Sequence, residues 1–146
     1  MAIQSDRTTF TGIDANGDPA TYTSGANGKY SFQIGGTSLA NGDRSFSSGT
    51  KTVAQKGAVA INDTTYAADF SFASGYKTVA SGQYAHSEGY QTFAKANYSH
   101  AEGYQTEATG QYSHAEGINT NATGRASHAT GDNTTASGEK STAAGT

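Results

Sequence analysis

The chain of 146 residues contains no cysteine and no tryptophan, and it has a single proline and a single methionine. Without cysteine, neither a disulfide nor a thiolate metal site can stabilise the fold. Only 14% of the residues are charged and the formal net charge is −3, which excludes the basic surface of a nucleic-acid-binding protein. No hydrophobic run approaches the roughly 20 residues of a membrane-spanning helix. Residues 1–7 lack the apolar segment of a secretory signal, so we expect neither export by that route nor membrane insertion.

What the chain does contain is a 14-residue repeat that runs from Tyr30 to the C-terminus. Its clearest copies read YSHAEGYQTEATGQ from Tyr98 and YSHAEGINTNATGR from Tyr112. The copies begin at Tyr30, Arg44, Ala58, Phe70, Tyr84, Tyr98, Tyr112 and Ala126, and a half-copy begins at Lys140. The copy at Ala58 is two residues short. A fixed short period predicts a solenoid in which each copy forms one coil. Positions within a copy are numbered from 1, with Tyr98 at position 1.

Small residues alternate at two places in each copy. Positions 2, 4 and 6 read Ser99, Ala101 and Gly103, and positions 9 and 11 read Thr106 and Ala108. Such alternation predicts two short β-strands per coil with their small side chains inside. A glycine every seven residues would cost a helix about 1 kcal/mol each time. An interior of Ala, Ser and Thr removes little apolar area from water, so we expect the chain to gain further burial by self-association.

Position 3 carries large side chains that should point out of the coil. In the order of the copies, it is occupied by Phe32, Phe46, Ala60, Phe72, His86, His100, His114 and His128. A row of exposed Phe side chains usually marks an interface. If three parallel chains pack around one axis, the Phe and His side chains at position 3 form the core along that axis. We therefore predict a parallel homotrimer.

The sequence motif Ser-His-Ala-Glu-Gly, followed by Thr-x-Ala-x-Gly, resembles the head repeat of the YadA-like trimeric autotransporter adhesins. It is also similar to repeats of bacteriophage tail and neck-appendage proteins. The resemblance covers residues 30–146 and implies an all-β fold, a left-handed parallel β-roll of 14-residue, two-strand coils assembled as a parallel homotrimer. Here His replaces the usual aliphatic residue at position 3, and Glu often occupies position 5.

The resemblance implies a function in attachment to a host. Because no export signal is seen, we expect a segment of a trimeric phage or phage-like tail fibre, located in the virion, that contacts a host cell-surface receptor or glycan. A bacterial surface adhesin head is the nearest alternative. Residues 1–29 depart from the repeat and are expected to cap the roll or to join it to other tail or fibre proteins. Asp14, Asn16 and Asp18 in this segment are interpreted as part of a loop rather than as a calcium site, because Gly25 stands where the loop's final Glu would be.

Two sets of side chains could bind a ligand. The His-x-Glu pairs could place three imidazoles around a metal ion, but successive rings only about 4.8 Å apart would bring several ions too close together. We therefore predict a hydrogen-bonded network, with neither a metal nor a cofactor. Tyrosines at positions 1 and 7 could bind glycans or could simply stiffen the stack. These tyrosines are Tyr76, Tyr84, Tyr90, Tyr98, Tyr104 and Tyr112.

The Thr residues at position 9 allow a further function, since a regular Thr array on a flat face is typical of ice-binding solenoids. Thr106 shares its strand face with Ala108, so we expect the Thr column to point inward. Ser, His and Glu recur at nearly every coil, and none forms a single exceptional site. The sequence therefore predicts no catalytic residue and no enzyme.

Overall fold

The computed structural model describes residues 10–13, 19–22, 27–35 and 37–145, and every regular element in these ranges is a β-strand. Strands β1 (Phe10–Ile13) and β2 (Pro19–Tyr22) pair antiparallel within the N-terminal segment. Asp14, Asn16 and Asp18 lie outside the described residues. In the part of the chain that is described, no helix is long and apolar enough to cross a membrane.

The remaining strands form two parallel sheets, and the chain alternates between them. One sheet has nine strands: β3 (Phe32–Ile34), β5 (Phe46–Thr50), β7 (Val59–Asp63), β9 (Phe72–Tyr76), β11 (His86–Tyr90), β13 (His100–Tyr104), β15 (His114–Ile118), β17 (His128–Asp132) and β19 (Thr142–Ala144). The other has eight: β4 (Leu39–Ala40), β6 (Val53–Ala54), β8 (Tyr66–Ala67), β10 (Val79–Ala80), β12 (Phe93–Ala94), β14 (Glu107–Ala108), β16 (Asn121–Ala122) and β18 (Thr135–Ala136). The predicted all-β parallel solenoid is confirmed.

Equivalent residues of successive coils pair in register. His86 pairs with His100, and His100 pairs with His114, so each position of the repeat becomes a straight column along the solenoid. The spacing within a column is therefore the distance between adjacent strands, about 4.8 Å. Each column consequently presents one kind of side chain repeatedly, and the function of the chain has to be sought in these columns.

The register around Ala58 differs from the predicted one. Val59 pairs with Phe46 on one side and with Phe72 on the other, so Val59 stands at position 3. Ala60, which the sequence analysis put there, is fully buried at position 4. The missing two residues are divided between two successive coils, since both steps in this column are 13 residues long. In a full coil the bond from Ser99 N ends on Ala96 O, two residues after the alanine at position 11. The corresponding bonds of Ala58 N and Ser71 N end on Gln55 O and Ala68 O, one residue after that alanine, so both coils are shortened at this corner.

Among the described residues, the fully buried side chains between the sheets are all small. The buried apolar residues are all alanines, and the largest fully buried side chains are Thr and Ser. They occupy positions 2, 4, 9 and 11, as the alternation predicted. Each such side chain removes much less apolar area from water than a Leu or Phe would. The chain therefore gains little stability from its own interior, and the hydrogen bonds between coils have a correspondingly larger share.

The glycine at position 6 is required by the stacking. At Gly103 the backbone φ is +110°, and an added Cβ would lie 2.2 Å from the carbonyl oxygen of Gly117 in the next coil. Side chains rarely adopt this backbone conformation, and the neighbouring backbone cannot move away without breaking the sheet. In the coil that lacks the glycine, Asn62 takes its place with φ of 86°. Asn is among the residues that tolerate positive φ best.

The fully buried threonine hydroxyls at position 9 fall into two groups. Thr52 and Thr92 contact the hydroxyls of Ser47 and Ser87 across the interior, at 2.6 and 2.8 Å. Where position 4 is alanine, the hydroxyl has no hydrogen-bond partner among the described residues; this holds for Thr65, Thr78, Thr106 and Thr120. A buried hydroxyl without a partner costs about 1–3 kcal/mol. Position 4 therefore decides whether a buried Thr stabilises its coil.

Isosteric substitution of these threonines should give effects of opposite sign. Thr106→Val removes an unpartnered hydroxyl and should raise the free energy of unfolding by about 1 kcal/mol. Thr92→Val removes the hydroxyl that contacts Ser87 and should lower it by about the same amount. Denaturant unfolding of both variants beside the parent checks this prediction, and equal effects of the two substitutions would contradict it.

Candidate functional site: the outward columns

The His column lies on the outer face of the nine-stranded sheet. His86, His100, His114 and His128 each begin a strand, and their rings stack with centroids 4.5–4.9 Å apart and planes within 10° of parallel. Their side chains are 35–42% exposed. Phe72 continues the column and meets the His86 ring edge-on, with centroids 4.8 Å apart. The column is thus continuous from apolar to imidazole rings, and its outer side is open.

A Glu column runs beside the His column at position 5. In the coils of Glu88, Glu102 and Glu116, a carboxylate oxygen lies 3.4–3.8 Å from the Nε2 atom of the histidine on the same strand. These distances are too long for hydrogen bonds, and the Nε2 atoms are buried without a partner in the described chain. The predicted His–Glu hydrogen bonds are therefore not formed within one chain. Glu116 does accept a hydrogen bond from Thr130 Oγ1, at 2.7 Å.

The stack disfavours charge on its central imidazole. Burial lowers the pKa of His100 below its ordinary value, and the neighbouring His86 and His114 lower it further. The carboxylates of Glu102 and Glu88 act in the opposite direction, and they do not reverse the shift. The pKa of Glu116 is lowered too, chiefly by the hydrogen bond from Thr130. The stack therefore favours a neutral imidazole at His100 and an ionised carboxylate at Glu116.

One group in this column has donor atoms that lie close together. One ligand atom each from His114, Glu116 and His128 falls within 4.8 Å of the others. The two imidazole planes are nearly parallel, with centroids 4.9 Å apart. Since an imidazole lone pair lies in the plane of its ring, the two lone pairs run side by side and do not converge on one ion at the usual 2.0–2.1 Å. Within one chain the geometry favours a ladder of rings over a chelating site.

The six tyrosines that were considered for glycan binding form two separate stacks. At position 7, Tyr76, Tyr90 and Tyr104 have ring centroids 5.2 and 4.9 Å apart. The rings at position 1 stack at 5.1–5.4 Å and are those of Phe70, Tyr84, Tyr98 and Tyr112. Sugars stack on the faces of aromatic rings, but here each inner face is covered by the next ring. What these columns offer to solvent is therefore ring edges and hydroxyl groups.

The stacked rings at position 1 stand in an unusual turn. Ser99 N donates to Ala96 O, which closes a turn whose third residue, Tyr98, has φ of 60°. Turns with positive φ at this residue usually have glycine there. A tyrosine in this conformation costs of the order of 1 kcal/mol, and an aromatic pair contributes about 0.5–1.5 kcal/mol. Ring stacking between coils therefore offsets the strain at the corner.

The Thr column and Ser87 are buried inside the coil, so their hydroxyl groups are not available to a ligand or to a neighbouring imidazole. Thr52, Thr78, Thr92, Thr106 and Thr120 are 0% exposed and Thr134 is half-buried, so this column cannot present a regular Thr array to an ice surface. Ser87 is also fully buried, whereas its neighbour His86 points outward. A serine hydroxyl and the adjacent imidazole thus lie on opposite sides of the strand. The described coils bring no serine hydroxyl into hydrogen-bond contact with an imidazole.

The sequence analysis missed an outward column on the eight-stranded sheet, at position 10. It reads Leu39, Val53, Tyr66, Val79, Phe93, Glu107, Asn121 and Thr135. All but the last of these residues are half-buried, and the change from apolar to polar residues falls between Phe93 and Glu107. The column at position 3 changes from Phe to His at His86, one coil earlier. The position-10 column could have been found by writing the copies one below another.

Comparison with known proteins adds no relative: no protein-family model and no curated protein matches the chain.

The His column predicts a dependence of stability on pH. Because the folded pKa of His100 is lowered, its contribution to stability is complete above the unfolded value of about 6.5 and is lost as the pH falls below it. The melting temperature should therefore be lower at about pH 5.0 than at about pH 7.5. At pH 5.0 the carboxylate of Glu116, whose pKa is also lowered, still contributes.

Two variants test whether the His and Glu residues cause this pH dependence of the melting temperature. The triple substitution of His86, His100 and His114 by Phe should remove most of the difference between the two pH values. Replacing Glu88 and Glu102 by Gln should enlarge it, because these carboxylates raise the pKa of His100. A parent that melts at the same or a higher temperature at pH 5.0 would contradict the prediction. A chelator should leave every melting temperature unchanged, since no chelating site is expected.

Proposed function

We propose that the chain is a structural and adhesive segment of a host-attachment fibre of a phage or phage-like tail, in which three copies form a parallel trimer of left-handed, 14-residue β-roll coils. The observation that carries this proposal is the contrast between an interior of Ala, Ser and Thr and an outer column of Phe46, Val59 and Phe72. A solenoid with so small a core needs burial from elsewhere, and an apolar column on its surface supplies it when chains associate.

In the proposed trimer, the residues at position 3 surround the axis: Phe32, Phe46, Phe72, His86, His100, His114 and His128. The Glu column then lies beside the axial histidines, and the Tyr edges remain on outer surfaces, where a host receptor or glycan is contacted through polar groups. Residues 1–29 join the roll to other tail or fibre proteins. The repeat sequence, with His at position 3 and Glu at position 5, is similar to repeats of phage tail proteins and so supports a phage fibre. A bacterial surface adhesin head is the alternative.

Substitution at the proposed axis tests the assembly. Three chains of 14.9 kDa give a particle of about 45 kDa in multi-angle light scattering. Phe72→Asp places three carboxylates at one level, and burying unpaired charge costs several kcal/mol, so the variant should dissociate or melt far below the parent. Gln111→Asp adds the same charge at an exposed corner and should remain trimeric. A monomeric parent, or a Phe72→Asp variant that behaves like the parent, would overturn this arrangement.

The location of the protein tests the function itself. A gold-labelled antibody against the chain should decorate the tails of virions made from the genome that encodes it, and the purified trimer should compete with those virions for adsorption to host cells. Label on the bacterial envelope, with none on virion tails, would instead favour the surface adhesin. A trimer that neither decorates tails nor competes for adsorption would remove the proposal.

A further inference from the structure

The two coils that lack a residue have a shorter corner than the other coils. In a full corner, four residues separate the alanine at position 11 from the residue at position 2, as between Ala94 and Ser99. Only three residues separate the corresponding Ala54 and Ala58, and the next corner, which ends at Ser71, is equally short. Full corners precede and follow these two in the described coils. The row of corner side chains is therefore interrupted at this level of the solenoid.

A recess opens beside the two short corners. Its volume is about 500 Å³, which is within the usual range for ligand pockets. Its lining includes Gln55 and Asp69 from the short corners, Gln83 and Asn97 from the full corners that follow, and Tyr66 from strand β8. The step from short to full corners thus coincides with a hollow in the surface.

The polar side chains of the recess are held in place by hydrogen bonds. Asn41 Nδ2 donates to Gln55 Oε1 at 3.2 Å. Backbone N–H groups donate to Asp69 Oδ1 at 3.2 Å and to Asn97 Oδ1 at 3.0 Å. These bonds leave the amide NH₂ groups of Gln55 and Asn97 to donate and the second oxygen of Asp69 to accept. The recess therefore has polar groups of both kinds that are oriented before a ligand arrives.

Tyr66 adds an aromatic ring at the edge of the recess. The residue is half-buried and belongs to neither of the two tyrosine stacks, whose inner ring faces are covered. Its neighbours in the position-10 column are Val53 and Val79, whose side chains are much shorter. The outer part of the ring therefore extends beyond both valines, where its apolar face can pack against the C–H groups of a sugar.

The recess combines the groups that the two sides of a hexose require. A hydroxyl group both donates and accepts, so adjacent sugar hydroxyls can bind an amide NH₂ and a carboxylate oxygen at once. Among the described residues, no lysine or arginine lines the recess, and the carboxylate of Asp69 repels an anionic sugar. On the basis of the attachment function proposed above, we propose that the recess binds a neutral hexose unit of a host-surface polysaccharide.

The recess stays open in the proposed trimer. Inside the coil, Ser87 Oγ at position 4 contacts Thr92 Oγ1 at position 9, so the neighbouring positions 3 and 10 point in opposite directions. With position 3 at the axis, Tyr66 at position 10 points away from it. By contrast, a groove of about 400 Å³ lined by Glu88 and Glu102 lies beside the axial histidines. Three open recesses per trimer can engage one repetitive polysaccharide together, which raises avidity without new contacts.

Sugar binding by the parent and two variants tests this site. Saturation-transfer NMR with the methyl glycosides of glucose, galactose and mannose, together with an array of bacterial surface polysaccharides, should detect binding of a neutral hexose. Tyr66→Val gives position 10 the residue type of its two neighbours, so it should fold and should lose the binding. Asp69→Asn keeps one oxygen for the bond from Lys56 N but replaces the second oxygen by a donor, so it should weaken the binding.

A matched control separates loss of the site from loss of an aromatic ring. Phe93→Val removes a ring from the same column two coils away and should bind sugar like the parent. A parent that binds none of the glycosides and none of the polysaccharides would overturn the proposed site. Undiminished binding by Tyr66→Val would overturn it as well.

An insertion tests whether the short corner forms the recess. One glycine inserted after Ala68 gives that corner the length and the central glycine of the next corner, Ser81–Gln83. Because the added residue moves Asp69 away from Tyr66, this variant should melt like the parent and lose sugar binding. Full binding by the variant would contradict the role of the short corner.

Failure of this inference is distinguishable from failure of the proposed function. The recess lies within one chain, so sugar binding can be measured whatever the state of assembly. A trimer that decorates virion tails but binds no sugar would overturn the site and leave the fibre. A chain that binds a hexose through Tyr66 but is absent from virion tails would leave the sugar site and overturn the fibre.

Discussion

The close approach of the two sheets constrains everything else in this molecule. The coil is so thin that only Ala, Ser and Thr fit inside, and the backbone of each coil lies directly against the next. Gly103 illustrates the limit, because a single added Cβ would lie 2.2 Å from a carbonyl oxygen of the following coil. A thin coil cannot bury large apolar side chains in its interior. Such side chains can only stand outside, where the in-register sheets align them into columns.

The columns then become the main source of stabilisation beyond the backbone hydrogen bonds. Rings that repeat at the strand spacing stack on one another, as Tyr84, Tyr98 and Tyr112 do at the corners. This stacking offsets the cost of a backbone conformation at Tyr98 that glycine would adopt more easily. The imidazoles stack in the same way, but each charge acquired would lie beside another ring of the same kind. The fold therefore makes His100 harder to protonate than an isolated histidine.

Much of this architecture was predictable because the 14-residue period of the coils is visible in the sequence. The alternation of Ser99 and Ala101 identified the buried side of the strand, and the Thr column was correctly expected to point inward. The register at Ala58 was predicted wrongly. There Asn62 replaces the glycine that marks position 6. In addition, two successive coils each lack one residue, whereas the sequence analysis assigned both missing residues to a single copy. The alternating small residues Ala58 and Ala60 carried the correct register, which only the hydrogen bonds between coils made evident.

The ring stacks and the position-10 column were less accessible to sequence reasoning. Positions 1 and 7 were recognised as tyrosine-rich, but whether their ring faces are open depends on the direction of each side chain at a corner with positive φ. The position-10 column varies more in residue type than the Phe and His column does, running from Leu39 through Tyr66 to Glu107. A search for repeated identity passes over such a column.

Variation along the position-3 column also bears on how parallel solenoids find their register. Identical coils would pack equally well after a slip of one strand spacing, because every level would offer the same surface. In the proposed trimer, a slip of one chain by one coil places its Val59 at the level of Phe46 in its neighbours, which opens a gap. The same slip places its His86 at the level of their Phe72, so a polar ring enters an apolar level. Irregular side chains on a regular backbone thus specify one alignment, which a perfect repeat could not do.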